Sequence, residues 1–262
     1  MPSAKVRLDD LLVERGFYPT VALAGRAVLA GEVTSPSISV LKPGMLVAFD
    51  IQLTVRPDKP YVSRGGEKLA AALIHFKIDT TGWHCLDIGA GSGGFTDCLL
   101  KNGAARVTAI DVGYGQFDWQ LRQDPRVELL ERTNFRMLAP IDLKDSFDFA
   151  VADLSFIRTS SLLALIRLFL KPTGQMVILI KPQFELPREQ AYSPGCQGGI
   201  VVDRALHQHV LQDFLSSANK ASLVPRGLIS SPLKGADGNR EFLFWATLTG
   251  IPATIDLQTI LG

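Results

Sequence analysis

The chain has 262 residues, which at about 150 residues per domain fits one large and one small domain and excludes a single small module. With 47% hydrophobic and 20% charged residues, it can bury a sizeable core and lacks the polar bias of a disordered protein. The formal net charge is only +1, so a nucleic-acid partner must be recognised by a local basic patch rather than by the field of the whole molecule.

The amino-terminal part of the chain predicts a small α+β domain over residues 1–58. Apolar residues recur at helical spacing in two short stretches, the first ending at Gly16 and the second at Gly31. Short β-like segments follow at Ile38–Leu41 and Leu46–Ile51. The pattern indicates a pair of helices packed against short strands.

A segment rich in proline and glycine separates this domain from the rest of the chain. Residues 59–65 are predicted to be a linker, and a helix is predicted to start at Glu67. From Trp83 onward, strand-like apolar runs alternate with helical stretches, which is typical of a doubly wound parallel sheet. We therefore assign residues 66–262 to one α/β domain.

The strands and helices of this domain can be placed from the same alternation. The predicted strands are Cys85–Ile88, Val107–Ile110, Val127–Leu130, Phe149–Ala152, Met176–Ile180 and Glu241–Leu248, and the predicted helices include Gly94–Asn102, Ser160–Leu170 and Ala205–Ala218. A turn-rich loop without a crossover helix joins Leu228–Ser230 to the last strand. These two strands are therefore predicted to form an antiparallel hairpin at the sheet edge.

The spacing of the cysteines and histidines indicates whether the chain binds a metal. The apolar segments indicate whether it enters a membrane. Cys85, Cys98 and Cys196 have neither CxxC nor Cys/His spacing, which disfavours disulfides and a zinc site. His207 and His209 point to different faces of a predicted helix, so we expect surface residues and no metal. No apolar run reaches the roughly 18 residues of a membrane span, and the first residues lack a signal peptide. These features predict a cytoplasmic protein without a membrane partner; none indicates an obligate protein partner.

A glycine-rich turn is the first candidate binding site. The segment CLDIGAGSGGF runs from a strand through a turn into a helix, where backbone N–H groups can approach a ligand. Gly89, Gly91 and Gly94 match the dinucleotide fingerprint, and Asp111 follows at the distance typical of a ribose-binding carboxylate. This pattern alone leaves NAD and S-adenosylmethionine open.

Further features favour S-adenosylmethionine over NAD. Asp87 lies two residues before the first glycine, where a carboxylate can meet the amino-acid portion that NAD lacks. Asn134 follows the third strand and is placed to reach the adenine, and the antiparallel final strand is expected of class I methyltransferases. The predicted cofactor-binding residues are Asp87, Gly89, Gly91, Gly93, Gly94, Phe95, Asp111 and Asn134.

Several longer strings make the chain resemble a known family. They are RLDDLLVERG, VSRGGEKL, LDIGAGSGGFTDCLL, DVGYGQ, LLERTN, VADLSFI, LIKPQFE, GGIVVD and SPLKGADGNREFL. In these strings the chain resembles the TlyA, or hemolysin A-like, proteins, which are related to the FtsJ (RrmJ) rRNA 2'-O-methyltransferases. The resemblance covers almost the whole chain. It implies an S-four-type RNA-binding domain joined to a class I, Rossmann-like methyltransferase domain with an antiparallel final strand.

The resemblance also implies a reaction and its residues. The family's Lys-Asp-Lys-Glu tetrad falls on Lys68, Asp153, Lys181 and Glu241. The implied substrate is ribosomal RNA or a ribosomal subunit, methylated by S-adenosylmethionine on a ribose 2'-hydroxyl, with cytidine as the implied nucleotide. A lysine accepts the hydroxyl proton only when neutral, a form favoured by burial and a nearby like charge. Because Lys181 follows an apolar strand, it is predicted to be the base, and the carboxylates to orient it.

The small domain departs from the family pattern. Thr20 and Val21 stand where a Ser-Arg pair is usual, and SPSIS replaces the usual Val-Asn-Gly turn. The remaining candidate RNA contacts are Arg15, Arg26, Lys42 and Arg64. Two other functions therefore stay open beside the methyltransferase: an RNA-binding ribosome-assembly factor without catalysis, and a membrane-acting hemolysin.

Overall fold

The computed structural model describes residues 5–56, 60–187, 189–190, 194–235 and 237–262. The chain divides into two compact units, Met1–Lys59 and Pro60–Gly262. The predicted boundary between residues 58 and 59 lies outside the described residues.

The first unit combines two helices with two small antiparallel sheets. Its elements are β1 (Lys5–Arg7), α1 (Leu8–Glu14), α2 (Val21–Leu29), β2 (Val33–Thr34), β3 (Leu46–Ala48) and β4 (Thr54–Val55). β1 pairs with β3, and β2 with β4. Leu8, Leu11 and Leu12 of α1 pack against Ala24 and Val28 of α2, because apolar residues three and four apart share one helix face.

One predicted strand of this unit is absent from the described structure. In the segment predicted as Ile38–Leu41, only Ile38 forms an isolated bridge, to Ser35. Ser35 Oγ accepts a hydrogen bond from the backbone N of Ser37 at 3.3 Å, and Pro36 has no N–H to donate. Side-chain bonding to the local backbone competes with strand pairing, so this segment forms a turn.

The second unit is built on one mixed sheet. Its strands are β5 (His84–Ile88), β6 (Arg106–Ile110), β7 (Val127–Leu130), β8 (Phe147–Ala152), β9 (Leu170–Ile180), β10 (Cys196–Gln197), β11 (Ile200–Val201), β12 (Val224–Ser230) and β13 (Phe242–Thr247). The main sheet has the order β12-β13-β9-β8-β5-β6-β7, while β10 and β11 form a separate hairpin. Neighbours from β9 through β7 are parallel, whereas β13 is antiparallel to both β9 and β12.

Helices cover both faces of this sheet. They are α3 (Arg64–Phe76), α4 (Gly94–Lys101), α5 (Trp119–Gln123), α6 (Leu163–Leu168), α7 (Pro182–Glu185), α8 (Arg204–Lys220) and α9 (Leu257–Leu261). One buried cluster joins the sheet to α3, α4 and α5, and another joins it to α6, α8 and α9. The parallel strands are apolar on both faces because both are covered, as in other doubly wound α/β folds.

Several element boundaries differ from the sequence prediction, and α3 and β9 are two examples. α3 begins at Arg64, within the predicted linker 59–65 and three residues before Glu67. A Cβ on Gly66 would lie 2.3 Å from Tyr61 side-chain atoms, so glycine here permits close packing rather than marking a break in structure. β9 extends back to Leu170, six residues before the predicted start, because the turn-like KPTG segment is part of the strand.

The two histidines of α8 have different environments. His209 is exposed, whereas His207, predicted to be at the surface, is only 5% exposed and contacts the Phe242 ring edge-on. Among the described residues, no group of three His, Cys, Asp or Glu side chains could hold a metal ion. Within the same residues, no helix is long and apolar enough to cross a membrane.

The burial of His207 leads to a prediction about stability. Burial lowers its pKa, and nearby Arg240 adds to this effect. In the unfolded chain the pKa of this histidine is about 6.5. Below that pH the unfolded chain binds the imidazole proton more readily than the folded chain does, so the free energy of unfolding falls as pH decreases. His207→Gln is therefore expected to reduce the loss of melting temperature between about pH 7.5 and 5.5. His209→Gln is the matched control, and an equal pH dependence in the two variants would contradict this origin.

Candidate active site

A cavity of about 660 Å³ lies at the carboxyl ends of the central parallel strands. Its walls come from the loops that follow β5, β6, β7, β8 and β9, together with the start of α3. Parallel strands present their carboxyl ends at one sheet edge, which is where open α/β folds bind ligands. The sheet therefore gathers residues that are far apart in the sequence.

The glycine turn after β5 is packed directly against the loop after β8. Gly89 has φ +81°, and a Cβ there would lie 2.6 Å from the carbonyl oxygen of Asp153. The backbone N of Asp153 donates to the Ile88 carbonyl at 3.1 Å. Glycine is required here by both backbone conformation and space, so the turn fixes the position of Asp153.

Asp111 holds two backbone segments at the cavity wall. Its Oδ2 accepts a hydrogen bond from Gly91 N at 2.7 Å, and its Oδ1 accepts one from Gly113 N at 2.6 Å. A carboxylate has about four acceptor positions, so these bonds leave capacity for hydroxyl donors of a ligand. The structure thus adds a scaffolding role to the ribose contact predicted from the sequence.

Asp87 lies beneath the glycine turn rather than on the cavity wall. Its side chain is fully buried, and Oδ2 accepts a hydrogen bond from Thr96 Oγ1 at 2.6 Å. Oδ1 is buried without a hydrogen-bond partner among the described residues. Burial raises the pKa of Asp87 to about 7, with added repulsion from Asp153 and Asp111, while the Thr96 bond opposes the shift. The unpartnered oxygen retains acceptor capacity beneath the turn.

The other predicted cofactor residues differ in their exposure to the cavity. The lining includes Gly89, Gly91, Gly94, Phe95, Asp111 and Asn134, but neither Asp87 nor Gly93. Asn134 caps the short 3₁₀ helix Phe135–Met137, its Oδ1 accepting from Arg136 N at 3.1 Å. The cap uses the amide oxygen, so the amide NH₂ group is the part suited to bind an acceptor.

The four predicted catalytic residues form two pairs at the same sheet edge. Lys181 Nζ lies 2.5 Å from Asp153 Oδ1 and donates to Ser155 Oγ at 2.9 Å. Lys68 Nζ donates to Glu241 Oε2 at 2.5 Å, and these two side chains are 9% and 2% exposed. Lys181 and Asp153 line the cavity, whereas Lys68 and Glu241 do not.

The antiparallel pairing of β13 with β9 brings the pairs together. Phe242 is opposite Ile180, so Glu241, which precedes β13, and Lys181, which follows β9, meet at the same edge. A parallel last strand would place Glu241, which precedes it, at the opposite edge of the sheet.

The candidate RNA contacts are not equivalent. Arg15 donates to the carbonyl oxygens of Phe49 at 2.5 Å and Ile51 at 2.8 Å, so its guanidinium ties the small unit together. Arg26 and Lys42 are exposed. In the second unit, exposed Arg64 donates to the Lys234 carbonyl oxygen at 2.5 Å.

Sequence reasoning missed many of the cavity residues, among them Ser63, Gly65, Ser155 and Phe156. Ser63 and Gly65 line the cavity from the start of α3, in the segment predicted as a linker. Ser155 and Phe156 line it from the loop after β8, and Phe156 is 91% exposed with φ +64°. The signal available in the sequence was the polar and aromatic pair Ser155-Phe156, which begins two residues after Asp153.

Comparisons with known proteins agree with this geometry. The model of the FtsJ-like methyltransferase family matches residues 61–248. A Bacillus subtilis protein provisionally named as the rRNA methyltransferase YqxC is 45% identical over 245 residues, 93% of this chain and 86% of that protein. The 16S/23S rRNA (cytidine-2'-O)-methyltransferase TlyA of Mycobacterium tuberculosis is 40% identical over 243 residues, 92% of this chain and 89% of that protein.

A solved structure extends the similarity to both units. A Streptococcus thermophilus protein provisionally described as a hemolysin is 37% identical and superimposes with a TM-score of 0.73. The match covers 98% of this chain and 94% of that one. Relatives of this chain thus carry either a methyltransferase or a hemolysin description.

The position of Asp111 yields a binding prediction. Asp111→Ala is expected to weaken S-adenosylmethionine and its demethylated product equally, by about 1.5–3 kcal/mol, because charge-assisted bonds to the ribose are lost for both. Calorimetry with each ligand measures this effect. Asp124→Ala is the matched control, because Asp124 pairs with Arg126 outside the cavity lining. Equal affinities in the wild type and Asp111→Ala would contradict the assignment.

Proposed function

Because the chain belongs to the FtsJ-like methyltransferase family and uses S-adenosylmethionine, we propose that it methylates a ribose 2'-hydroxyl of ribosomal RNA. The observation that carries this proposal is the Lys181–Asp153 pair at the wall of the cavity. The relative from Mycobacterium tuberculosis is named for cytidine, so we propose cytidine as the nucleotide. A ribosomal substrate implies action in the cytoplasm, on rRNA or a ribosomal subunit.

The cavity residues fit S-adenosylmethionine by their chemistry. Asp111 offers carboxylate oxygens suited to ribose hydroxyls, and the Asn134 amide offers donors suited to adenine. Asp87 lies beneath the glycine turn and outside the cavity lining, so contact between its buried oxygen and the methionine portion requires the turn to move. When bound, the cofactor supplies a methyl group activated by its sulfonium. The protein residues must then orient the acceptor hydroxyl and remove its proton.

Lys181 is the residue suited to take that proton. Its Nζ lines the cavity, and its contacts with Asp153 and Ser155 hold the amine at the wall. A lysine accepts a proton only after losing its own, and it does so efficiently when held within hydrogen-bond reach of the hydroxyl. Asp153 orients the ammonium that forms when the hydroxyl proton is transferred.

Lys68 and Glu241 play a different part in this proposal. They are buried against each other outside the cavity lining, so Lys68 does not reach the substrate hydroxyl in this arrangement. A buried ion pair with one partner removed leaves an uncompensated charge, which costs about 3–5 kcal/mol. The pair thus connects α3 to the residue that directly precedes β13. Its two charges neutralise each other outside the cavity lining.

We further propose that the first unit is the S-four-type RNA-binding domain. Exposed Arg26 and Lys42 are suited to phosphate contacts, whereas Arg15 serves the fold of the unit itself. Thr20, in place of the usual motif residue, caps α2 by accepting from Leu23 N at 3.3 Å. The altered motif thus retains a structural role at the start of the helix.

The proposal is tested by methyl transfer to purified rRNA and subunits. Label from S-adenosylmethionine should appear in rRNA and survive as a nuclease-resistant 2'-O-methylated dinucleotide. RNA binding without transfer would favour a non-catalytic assembly factor. Leakage of liposomes by the pure protein, without transfer, would favour the hemolysin.

The general-base role predicts a sharp effect of a conservative substitution. Lys181→Arg is expected to abolish methyl transfer while changing the affinity for S-adenosylmethionine by no more than a few-fold, because arginine keeps the charge but does not release its proton. Lys171→Arg is the matched control, since Lys171 lies on β9, the strand that Lys181 follows, and pairs with Asp148 at 2.8 Å. Substantial transfer by Lys181→Arg would reduce this lysine to an electrostatic role.

The two-unit arrangement predicts that the second unit binds S-adenosylmethionine and that the first unit contributes to recognition of the rRNA. Deleting residues 1–59 is expected to preserve S-adenosylmethionine binding, measured by calorimetry, but to remove most rRNA methylation, because oriented phosphate contacts are lost. In the full chain, Arg26→Ala and Lys42→Ala should each make the slope of log affinity against log salt shallower by about 0.7–0.9. Arg15→Ala should instead lower the melting temperature.

An unchanged methylation rate and salt slope after the deletion would contradict this division. The second unit would then recognise the RNA by itself.

A further inference from the structure

The side chain of Ser155 lies beside the proposed base at the cavity wall. It follows Asp153 by two residues, lines the cavity, and accepts a hydrogen bond from Lys181 Nζ at 2.9 Å. We propose that Ser155 is a positioning residue, whose hydroxyl orients the Lys181 amine toward the substrate hydroxyl. This role rests on the proposed function of Lys181 as the base.

Asp153 holds the amine less firmly in the state that reacts. Its carboxylate attracts the charged ammonium, but most of that attraction disappears when Lys181 becomes neutral. In addition, the 2.5 Å contact lacks the alignment of a hydrogen bond, as Asp153 Oδ1 has no hydrogen-bond partner among the described residues. A second contact that does not depend on the lysine charge is therefore needed.

A serine hydroxyl meets this requirement. Its oxygen accepts an N–H from either the ammonium or the neutral amine, because it is itself uncharged. When the neutral amine donates one N–H to Ser155, its lone pair points away from that bond. The bond thus restricts rotation about the end of the lysine side chain and leaves the lone pair free for the substrate proton.

The loop that carries Ser155 is held in an uncommon backbone conformation. Phe156, the next residue, has φ +64°, a left-handed conformation that is rare for bulky residues and persists only where the surroundings enforce it. Glu185 supplies one restraint: its buried carboxylate accepts a hydrogen bond from Ser160 N at 3.1 Å. Glu185 ends α7, the short helix that begins directly after Lys181. This hydrogen bond therefore joins the Ser155 loop to the segment that follows the base.

Ser155 contributes little to the core, which makes it a clean target for mutation. Its side chain is exposed, so removal of the hydroxyl creates neither a buried cavity nor a buried unpaired group on Ser155. Lys181 retains its contact with Asp153 in such a variant. The effect on turnover can therefore be separated from an effect on folding.

The test compares Ser155→Ala and Ser155→Thr with the wild type, using purified rRNA and labelled S-adenosylmethionine. Ser155→Ala is expected to lower kcat by about tenfold, the effect of one oriented hydrogen bond, with unchanged KM for rRNA and unchanged S-adenosylmethionine affinity. Ser155→Thr keeps the hydroxyl and should restore most of kcat. Ser161→Ala is the matched control, because its hydroxyl bonds the Arg158 carbonyl in the same loop and makes no contact with Lys181.

The outcomes separate this inference from the proposed function. An active wild type with an unchanged kcat in Ser155→Ala would overturn the positioning role alone. A change confined to KM would assign Ser155 to RNA binding, and failure of Ser155→Thr to recover would show that the hydroxyl is not the active feature; either result overturns the inference. An inactive wild type would overturn the proposed function and this inference together.

Discussion

The close approach of Gly89 to the carbonyl oxygen of Asp153 is the constraint on which the site depends. It joins the turn that surrounds the cofactor cavity to the loop that carries the proposed catalytic pair. A Cβ 2.6 Å from that oxygen would force the β5 turn and the β8 loop apart. Because β5 and β8 are neighbouring parallel strands, small shifts in this turn would be transmitted to Asp153 and then to Lys181. The proposed cofactor turn and the proposed catalytic pair thus share one rigid element.

The charges of the site are divided between two environments. Lys68 and Glu241 neutralise each other in the interior, whereas Lys181 and Asp153 meet at the cavity wall. A buried pair keeps its geometry because separating it would expose an uncompensated charge to a low dielectric. A pair at a wall can exchange protons with a ligand. The antiparallel β13 makes this division possible, since it brings Glu241 to the edge of the sheet where Lys181 follows the last residue of β9.

Much of the second unit could be predicted from the sequence because the patterns that indicate its strands and its glycine turn are local. Five predicted parallel strands fall within observed strands, and the glycine turn lies where the strand and helix patterns meet. The features that could not be predicted depend on contacts between residues that are distant in the sequence. The chain alone does not reveal that Arg15 bonds two distant carbonyls, that His207 is covered by the sheet, or that Asp87 lies beneath the turn. Likewise, Ser155 became a candidate only when its distance to Lys181 was known.

The most direct test of the central claim is to map 2'-O-methyl groups in rRNA from cells with and without the gene. Ribose methylation at one or more discrete nucleotides should be present with the wild-type gene and absent without it. Reintroduced wild type should restore those marks, whereas a gene encoding Lys181→Arg should not. Identical 2'-O-methyl maps in the two strains, or loss of a methyl group from a base instead of a ribose, would contradict the assignment of this protein to ribose methylation.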